Sequence, residues 1–292
     1  MPEHTNILRY LYQFITLYLV LMLGCTEIKP AGSPNEQFVE PGIFSQARFD
    51  RVLQRFVDDD GRVDYRKLKQ DLRDLDQYYH LIATYSPDSH PDLFPSEDHK
   101  LAYWINAYNA SAIKTVLTYY PISSVLDVKP PAVFFFLTDK SGFFVFQRLT
   151  YGGKTTSLYY LQNGVIRERF QEPRIHFALN CAALGCPRLP KKAFTGEDLQ
   201  RQLDKETRKF LSEERNFKID HEEKTIYLSS IFKWYEKDFL DGIQDRFPNR
   251  KGTLLDYVTR YLPAEKAYEL NKAGDRYKID FVPYDWGLND QK

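Results

Sequence analysis

SEDHKLAYWINAYNASAIKTVLTYY (96–120) is the longest uninterrupted helical pattern in the chain. It begins at Ser96, with His99 and Lys100 in its first turn, and stops before Pro121, which cannot continue a helix. Upstream, a helix fits about 44–57, with Phe49, Val52, Leu53 and Phe56 on one face. A second fits about 65–85, with Leu68, Leu72, Leu75 and Tyr79 in step, before Pro87, Pro91 and Pro95 mark an irregular loop. Downstream the pattern changes. Residues 134–149 are aromatic and β-prone, Tyr151-Gly152-Gly153 is a hairpin turn signal, 157–170 look helical, and 174–179 read as a short apolar strand. Thr195 with Asp198 suggests a capping box for a helix over about 196–213. A hairpin near 217–229 follows, then a helix over 230–241 opening at Ser229 or Ser230. Helices over 252–262 and 264–273 and a closing strand near 276–282 complete the chain. Helices and short hairpins mix without a βαβ rhythm, so the expected class is α+β, as one globular domain over 44–292.

The chain has 292 residues, enough for a substantial core, with 43% hydrophobic and 27% charged residues. Its 21 Tyr and 21 Phe favour strands and buried clusters. Lys and Arg number 40, Asp and Glu 40, so the net charge is zero and nothing in bulk attracts nucleic acid. Asp58-Asp59-Asp60-Gly61 resembles a calcium loop at first sight. With Gly61 at the sixth position, the first and last would be Phe56 and Lys67, neither a ligand, so a solvated turn is expected.

Residues 14–23 form an apolar run with one basic residue, Arg9, ahead of it. The run is shorter than the ~20 residues a spanning helix needs and has the length of an export signal. It ends at Leu21-Met22-Leu23-Gly24-Cys25, which resembles the lipobox of bacterial lipoproteins. That resemblance implies a signal over 1–24 and an acylated Cys25, hence a membrane partner through lipid. Thr26 after the cysteine implies the outer membrane, facing the periplasm. Pro30, Gly32, Ser33, Pro34, Pro41 and Gly42 make 25–43 a flexible tether.

Cys181 and Cys186 are the other two cysteines, spaced Cys-x4-Cys. In an oxidising compartment they suit a small disulfide or a pair of reactive thiols. Zinc would need a fourth ligand beyond Cys181, Cys186 and His176, and none is evident nearby, so no metal or other cofactor is expected. Asn106 and Asn109 share a helix face. They suit either orienting a reacting group or a buried network that satisfies loop backbone. On a strand, Arg174, His176 and Asn180 point to one face and Cys181 to the other, about 16 Å from His176. A Cys181–His176 dyad then needs a reversal at Asn180. Phe134-Phe135-Phe136 and Phe143-Phe144-Val145-Phe146 suit a buried hairpin or a lipid or partner surface.

Four segments together resemble the family called domain of unknown function 547: Asp60-Gly61-Arg62-Val63-Asp64-Tyr65, Ala102 to Ala110, Pro173 to Cys181 closed by Gly185-Cys186-Pro187, and Tyr284-Asp285-Trp286. The resemblance brings no established activity; it implies an exported or lipid-anchored protein. Where the family usually carries a Glu-His pair, this chain has Gln162-Asn163, neither of which titrates near neutral pH. The resulting expectation is an envelope lipoprotein acting as a non-catalytic module that binds a protein or small molecule, with Arg174 as a binding residue. The alternative is a thiol-dependent hydrolase or acyltransferase. There Cys181 is the nucleophile, His176 the base, and Asn106, Asn109 and Asn180 the orienting groups.

Overall fold

The computed structural model describes residues 25–29, 42–134, 136–246 and 249–291. The expected signal segment 1–24 and most of the expected tether lie outside the described residues. About 51% of the chain is helical and 12% is strand, in two small three-stranded sheets, which is the α+β class.

The centre is the helix α4 (Glu97–Tyr119), after α1 (Ala47–Phe56), α2 (Tyr65–Gln70) and α3 (Arg73–Thr84). Ser96 Oγ accepts from the His99 N–H and opens α4. At 23 residues α4 is about 35 Å long, and every residue from Leu101 to Leu117 is buried. A helix covered on all sides needs partners on all sides. They include α3, the helical segment over 158–167 and the helix over 199–212, with Tyr151 of the strand β2 (Gln147–Tyr151) against Trp104.

The helix expected over 65–85 breaks at Asp71-Leu72, where Asp71 leaves helical geometry (φ −139°) and pairs with Arg55 on α1 at 2.8 Å. The β-prone 134–149 stretch is mostly helical turns, including α5 (Lys140–Phe144), and only β2 is strand. The hairpin after β2 turns at Gly152 and Gly153, both at positive φ (54° and 78°), into β3 (Lys154–Thr156). The tether expectation is corrected at its start. Thr26–Glu27 is a parallel edge strand, β1, on β2, and Ile28 is buried, its carbonyl accepting from the Tyr79 hydroxyl at 3.0 Å.

Residues 157–170 are helical, in the order α6 (Leu158–Tyr160), a π-helical turn (Leu161–Arg167) and α7 (Glu168–Phe170). The segment expected as a strand over 174–179 is instead a 3-10 helix, Pro173–Phe177. Pro173 sits in its first turn, and Glu172 accepts from the Arg174 N–H. Next comes α8 (Leu199–Ser212), without the Thr195–Asp198 capping box. The Thr195 N–H goes to Gln202, and the Asp198 carboxylate goes to Arg201.

A second core forms around β4 (Phe217–Asp220), β5 (Thr225–Ser229) and β6 (Lys278–Val282), with β5 antiparallel to β4 and parallel to β6. Ser229 caps α9 (Ser230–Trp234); the chain bends at Tyr235 into α10 (Glu236–Asp241), so the expected 230–241 helix is two helices. The helices α11 (Leu254–Thr259) and α12 (Ala264–Ala273) cover this core. After β6 the chain returns as a strap. Leu288 N–H bonds Ser123, Asn289 N–H bonds Ala182, and Leu184 N–H bonds Gly287. The strap fixes Tyr284 and Trp286 where the two cores meet.

Candidate functional site: an aromatic cleft over His176 and Cys181

Between the cores lies a cleft of about 480 Å³. Its lining includes His176 and Cys181 with residues from α4, α5, the π-turn, α9 and the C-terminal strap. The 16 Å separation expected for His176 and Cys181 came from a strand geometry. Because 173–177 is helical, the two residues line one cleft.

Cys181 and Cys186 are joined as a disulfide, with Sγ–Sγ 2.18 Å and Cα–Cα 6.1 Å. The Tyr284 hydroxyl lies 3.1 Å from each sulfur. Gly185 lets the disulfide loop approach the strap: a Cβ there would stand 2.9 Å from the Asp285 nitrogen. In this state Cys181 carries no thiolate.

His176 is 3% exposed, stacks on Tyr235 (centroids 3.9 Å, planes 16° apart) and holds Asp238 Oδ2 with Nε2 at 2.7 Å. Burial lowers the His176 pKa, and the Asp238 hydrogen bond only partly offsets it. A neutral ring with its proton on Nε2, donating to the carboxylate, fits these contacts. Nδ1 is then an acceptor, buried and without a hydrogen-bond partner among the described residues. Asp238 also takes both arms of Arg167, at 2.7 and 2.8 Å. Burial opposes its charge, but the bonds from His176 and Arg167 hold its carboxyl well below the usual range. Arg167 lies 4.8 Å over the Tyr235 ring.

Much of the remaining lining is aromatic. Trp234 and Trp286 lie 5.9 Å apart, nearly parallel at 26°, with Tyr284 4.5 Å from Trp286. The Lys140 ammonium stands 4.8 Å over Trp234 and 4.4 Å over Trp286. Its pKa is lowered by partial burial, and among the described residues it has no ion-pair partner. Gln162 and Asn163 lie on the π-turn, an irregularity that recurs at functional sites. Gln162 donates to the Tyr235 hydroxyl at 2.9 Å and accepts from Tyr108 at 3.4 Å. Asn163 accepts from Arg167 at 2.6 Å.

The remaining candidates lie elsewhere. Asn106 donates to the Phe194 carbonyl and accepts from the Phe194 N–H (2.8 and 3.0 Å). Asn109 does the same for Ala178 and Asn180 (3.0 and 2.8 Å). Asn180 donates to the Pro187 carbonyl and accepts from the Ala182 N–H. None of the three lines the cleft; each amide is taken up by loop backbone. Arg174 is also outside it, held by Glu172 and Asp204. Among the described residues no group of three or more His, Cys, Asp or Glu could hold a metal ion, and no helix is long and apolar enough to cross a membrane.

Sequence spacing did not reveal Asp238, Arg167, Tyr235, Trp234 or Lys140. Asp238 meets His176 and Arg167 across 62 and 71 residues, and no local pattern carries such a pairing. Tyr284 and Trp286 did carry a signal, as the terminal segment of the family resemblance.

What these features define is a single α+β domain with a ligand-sized aromatic cleft at the junction of two cores. Residues 93–211 match the family described as "Protein of unknown function, DUF547", which supports the resemblance read from the motifs. The matched stretch includes α4, Lys140, the π-turn, His176 and the disulfide; Trp234, Asp238, Tyr284 and Trp286 lie beyond it. No curated protein and no solved structure matches the chain.

Proposed function

We propose that the protein is a lipid-anchored module of the bacterial envelope that binds a ligand in the aromatic cleft without catalysing its conversion. One observation carries the choice of binding over thiol chemistry: the Cys181 sulfur is bonded to Cys186, so it is not a free thiol. A thiol nucleophile needs a free sulfur and a base within hydrogen-bond reach. Gln162 and Asn163 on the cleft wall add no titrating group.

The cleft chemistry favours a ligand with one flat apolar face and one anionic group. Trp234, Trp286 and Tyr284 supply the flat faces. The Lys140 ammonium, partly desolvated and without a carboxylate partner among the described residues, is the natural partner for the anion. Anchoring through Cys25 rests on the lipobox-like Leu21-Met22-Leu23-Gly24-Cys25.

The test is calorimetric titration of the folded, oxidised protein. Probes would be a carboxylated sugar ring (N-acetylmuramic acid) and a carboxylated aromatic ring (indole-3-acetate), each against its neutral counterpart. The expected result is a preference for the acid of either pair that Lys140→Ala removes. Equal affinity for acid and neutral probes in the wild-type protein, or no binding of any of them, overturns this ligand class.

The thiol-dependent reading keeps one observation in its favour, since His176 and Cys181 share the cleft. It requires reduction first. A reduced protein whose Cys181 alkylates rapidly at neutral pH, with Cys181→Ser abolishing turnover of an acyl ester, would establish it.

A further inference from the structure

The sharpest concentration of exposed apolar side chains lies beside Cys25. Val133 is 58% exposed, Phe136 69%, Leu137 38% and Val145 38%: four large apolar residues within thirteen positions. Exposed hydrophobics scattered singly need no explanation, whereas a cluster does. The patch is continuous beneath its surface. The Phe134 ring lies 6.1 Å from Phe136 and 5.1 Å from Phe146.

Strand β1 fixes the position of Cys25 relative to this patch. The Thr26 N–H donates to the Phe146 carbonyl at 3.0 Å, and the Ile28 N–H donates to Arg148 at 2.9 Å. Cys25 directly precedes Thr26, their Cα atoms about 3.8 Å apart. Acyl chains on Cys25 would therefore leave the protein directly beside Phe146. They would not hang from the end of a long tether, and the docked strand would draw the patch to the same surface.

We propose that Val133, Phe136, Leu137 and Val145 form a lipid-contact face that seats the domain flat on the bilayer holding the Cys25 acyl chains. This inference rests on the acylation of Cys25 in the proposed function. The occupant is the lipid surface itself, because the anchor point and the patch belong to one hydrogen-bonded unit. Val145 belongs both to this face and to the cleft wall, so the cleft borders the membrane. A ligand would then reach it along the bilayer surface.

The test uses the full chain, made in a bacterium that acylates lipoproteins and reconstituted in phosphatidylethanolamine–phosphatidylglycerol vesicles with brominated acyl chains. An environment-sensitive dye is attached through Phe136→Cys, and in a second variant through Tyr268→Cys, an aromatic 70% exposed on α12. Mass spectrometry of the same samples reads acylation at Cys25. The expected result is at least twofold quenching at 136 and none at 268. An acylated, vesicle-bound chain whose dye at 136 is unquenched, or quenched no more than at 268, overturns the lipid-contact face and leaves the anchor intact. A chain without acyl mass on Cys25 overturns the anchor, and this inference with it.

Discussion

Replacing Asn109 by Ala removes two hydrogen bonds at once. Its Nδ2 donates to the Ala178 carbonyl at 3.0 Å and its Oδ1 accepts from the Asn180 N–H at 2.8 Å, with the residue 1% exposed. Each bond lost leaves a buried backbone group without its partner, at a cost of ~1–3 kcal/mol. Two such groups give a range of about 2–6 kcal/mol, and local relaxation favours the lower half, about 2–4 kcal/mol. At roughly 2–4 °C per kcal/mol for a domain of this size, the melting temperature should fall by about 4–16 °C. Urea unfolding followed by far-UV circular dichroism should show a lower midpoint at an unchanged slope, because the surface exposed on unfolding is the same. A catalytic or ligand-orienting Asn109 predicts the opposite pattern: a variant within about 0.5 kcal/mol of wild type that loses function. That result would refute the assignment of Asn109 to the 178–180 loop.

Three further outcomes follow from the cleft. Burial lowers the His176 pKa below its ordinary 6.5, so between the folded and unfolded values the unfolded chain binds a proton that the folded one does not. Stability should thus fall as pH drops below about 6.5, and again below about 4, where the unfolded chain's Asp238 takes up a proton that the folded one, held low by His176 and Arg167, does not; a melting temperature flat or rising across this range in wild type, or unaltered in slope by His176→Gln, would contradict it. Removing the Cys181–Cys186 bridge by Cys181→Ser with Cys186→Ser should cost about 2 kcal/mol from loop closure over so short a segment, read by chemical unfolding under non-reducing conditions, where no loss would contradict a stabilising role. Gln162→Glu sets a carboxylate between two tyrosine hydroxyls able to donate to it, so the fold should hold while N-acetylmuramic acid binds at least threefold more weakly at low salt; equal binding would remove the cleft anion site from this wall.

The sequence was most informative where local chemistry alone decides the structure. The 96–120 helix has a capping serine, a mostly apolar middle and a terminating proline, and it forms within one residue at each end. Gly152-Gly153 adopts the positive φ that its turn requires. The strand expected over 174–179 failed because a short apolar run fits a strand and a helical turn equally well. Pro173, Glu172 and the distant Asn109 choose between them. Thr26–Glu27 was unreadable for a related reason: two residues carry no period, and their pairing partner lies 121 residues on at Gln147. The site divides the same way. His176 and Cys181 were visible as residue types, whereas Asp238, Arg167 and Lys140 acquire meaning only from neighbours far away in sequence.

The arrangement around His176 bears on which chemistry the cleft can support. Asp238 receives Arg167 and His176 together, so the imidazole is held in one orientation with Nδ1 as its lone-pair acceptor. In a hydrolase this is half of a relay, with the carboxylate orienting a base that faces a nucleophile. Here the candidate nucleophile is not free. The candidate sulfur is bonded to Cys186, and the Tyr284 hydroxyl sits against both sulfurs, an acid too weak to supply charge because burial raises its pKa further. A buried acceptor without a partner is costly, and such groups concentrate where a ligand or a reaction supplies the missing donor. A bound ligand with one N–H or O–H aimed at Nδ1 would satisfy it without any proton transfer. If so, His176→Phe, which keeps the ring stacked on Tyr235 but has no acceptor, should weaken a donor-bearing ligand while leaving one that lacks the donor unaffected. Equal weakening of both would assign His176 to shaping the cleft wall alone.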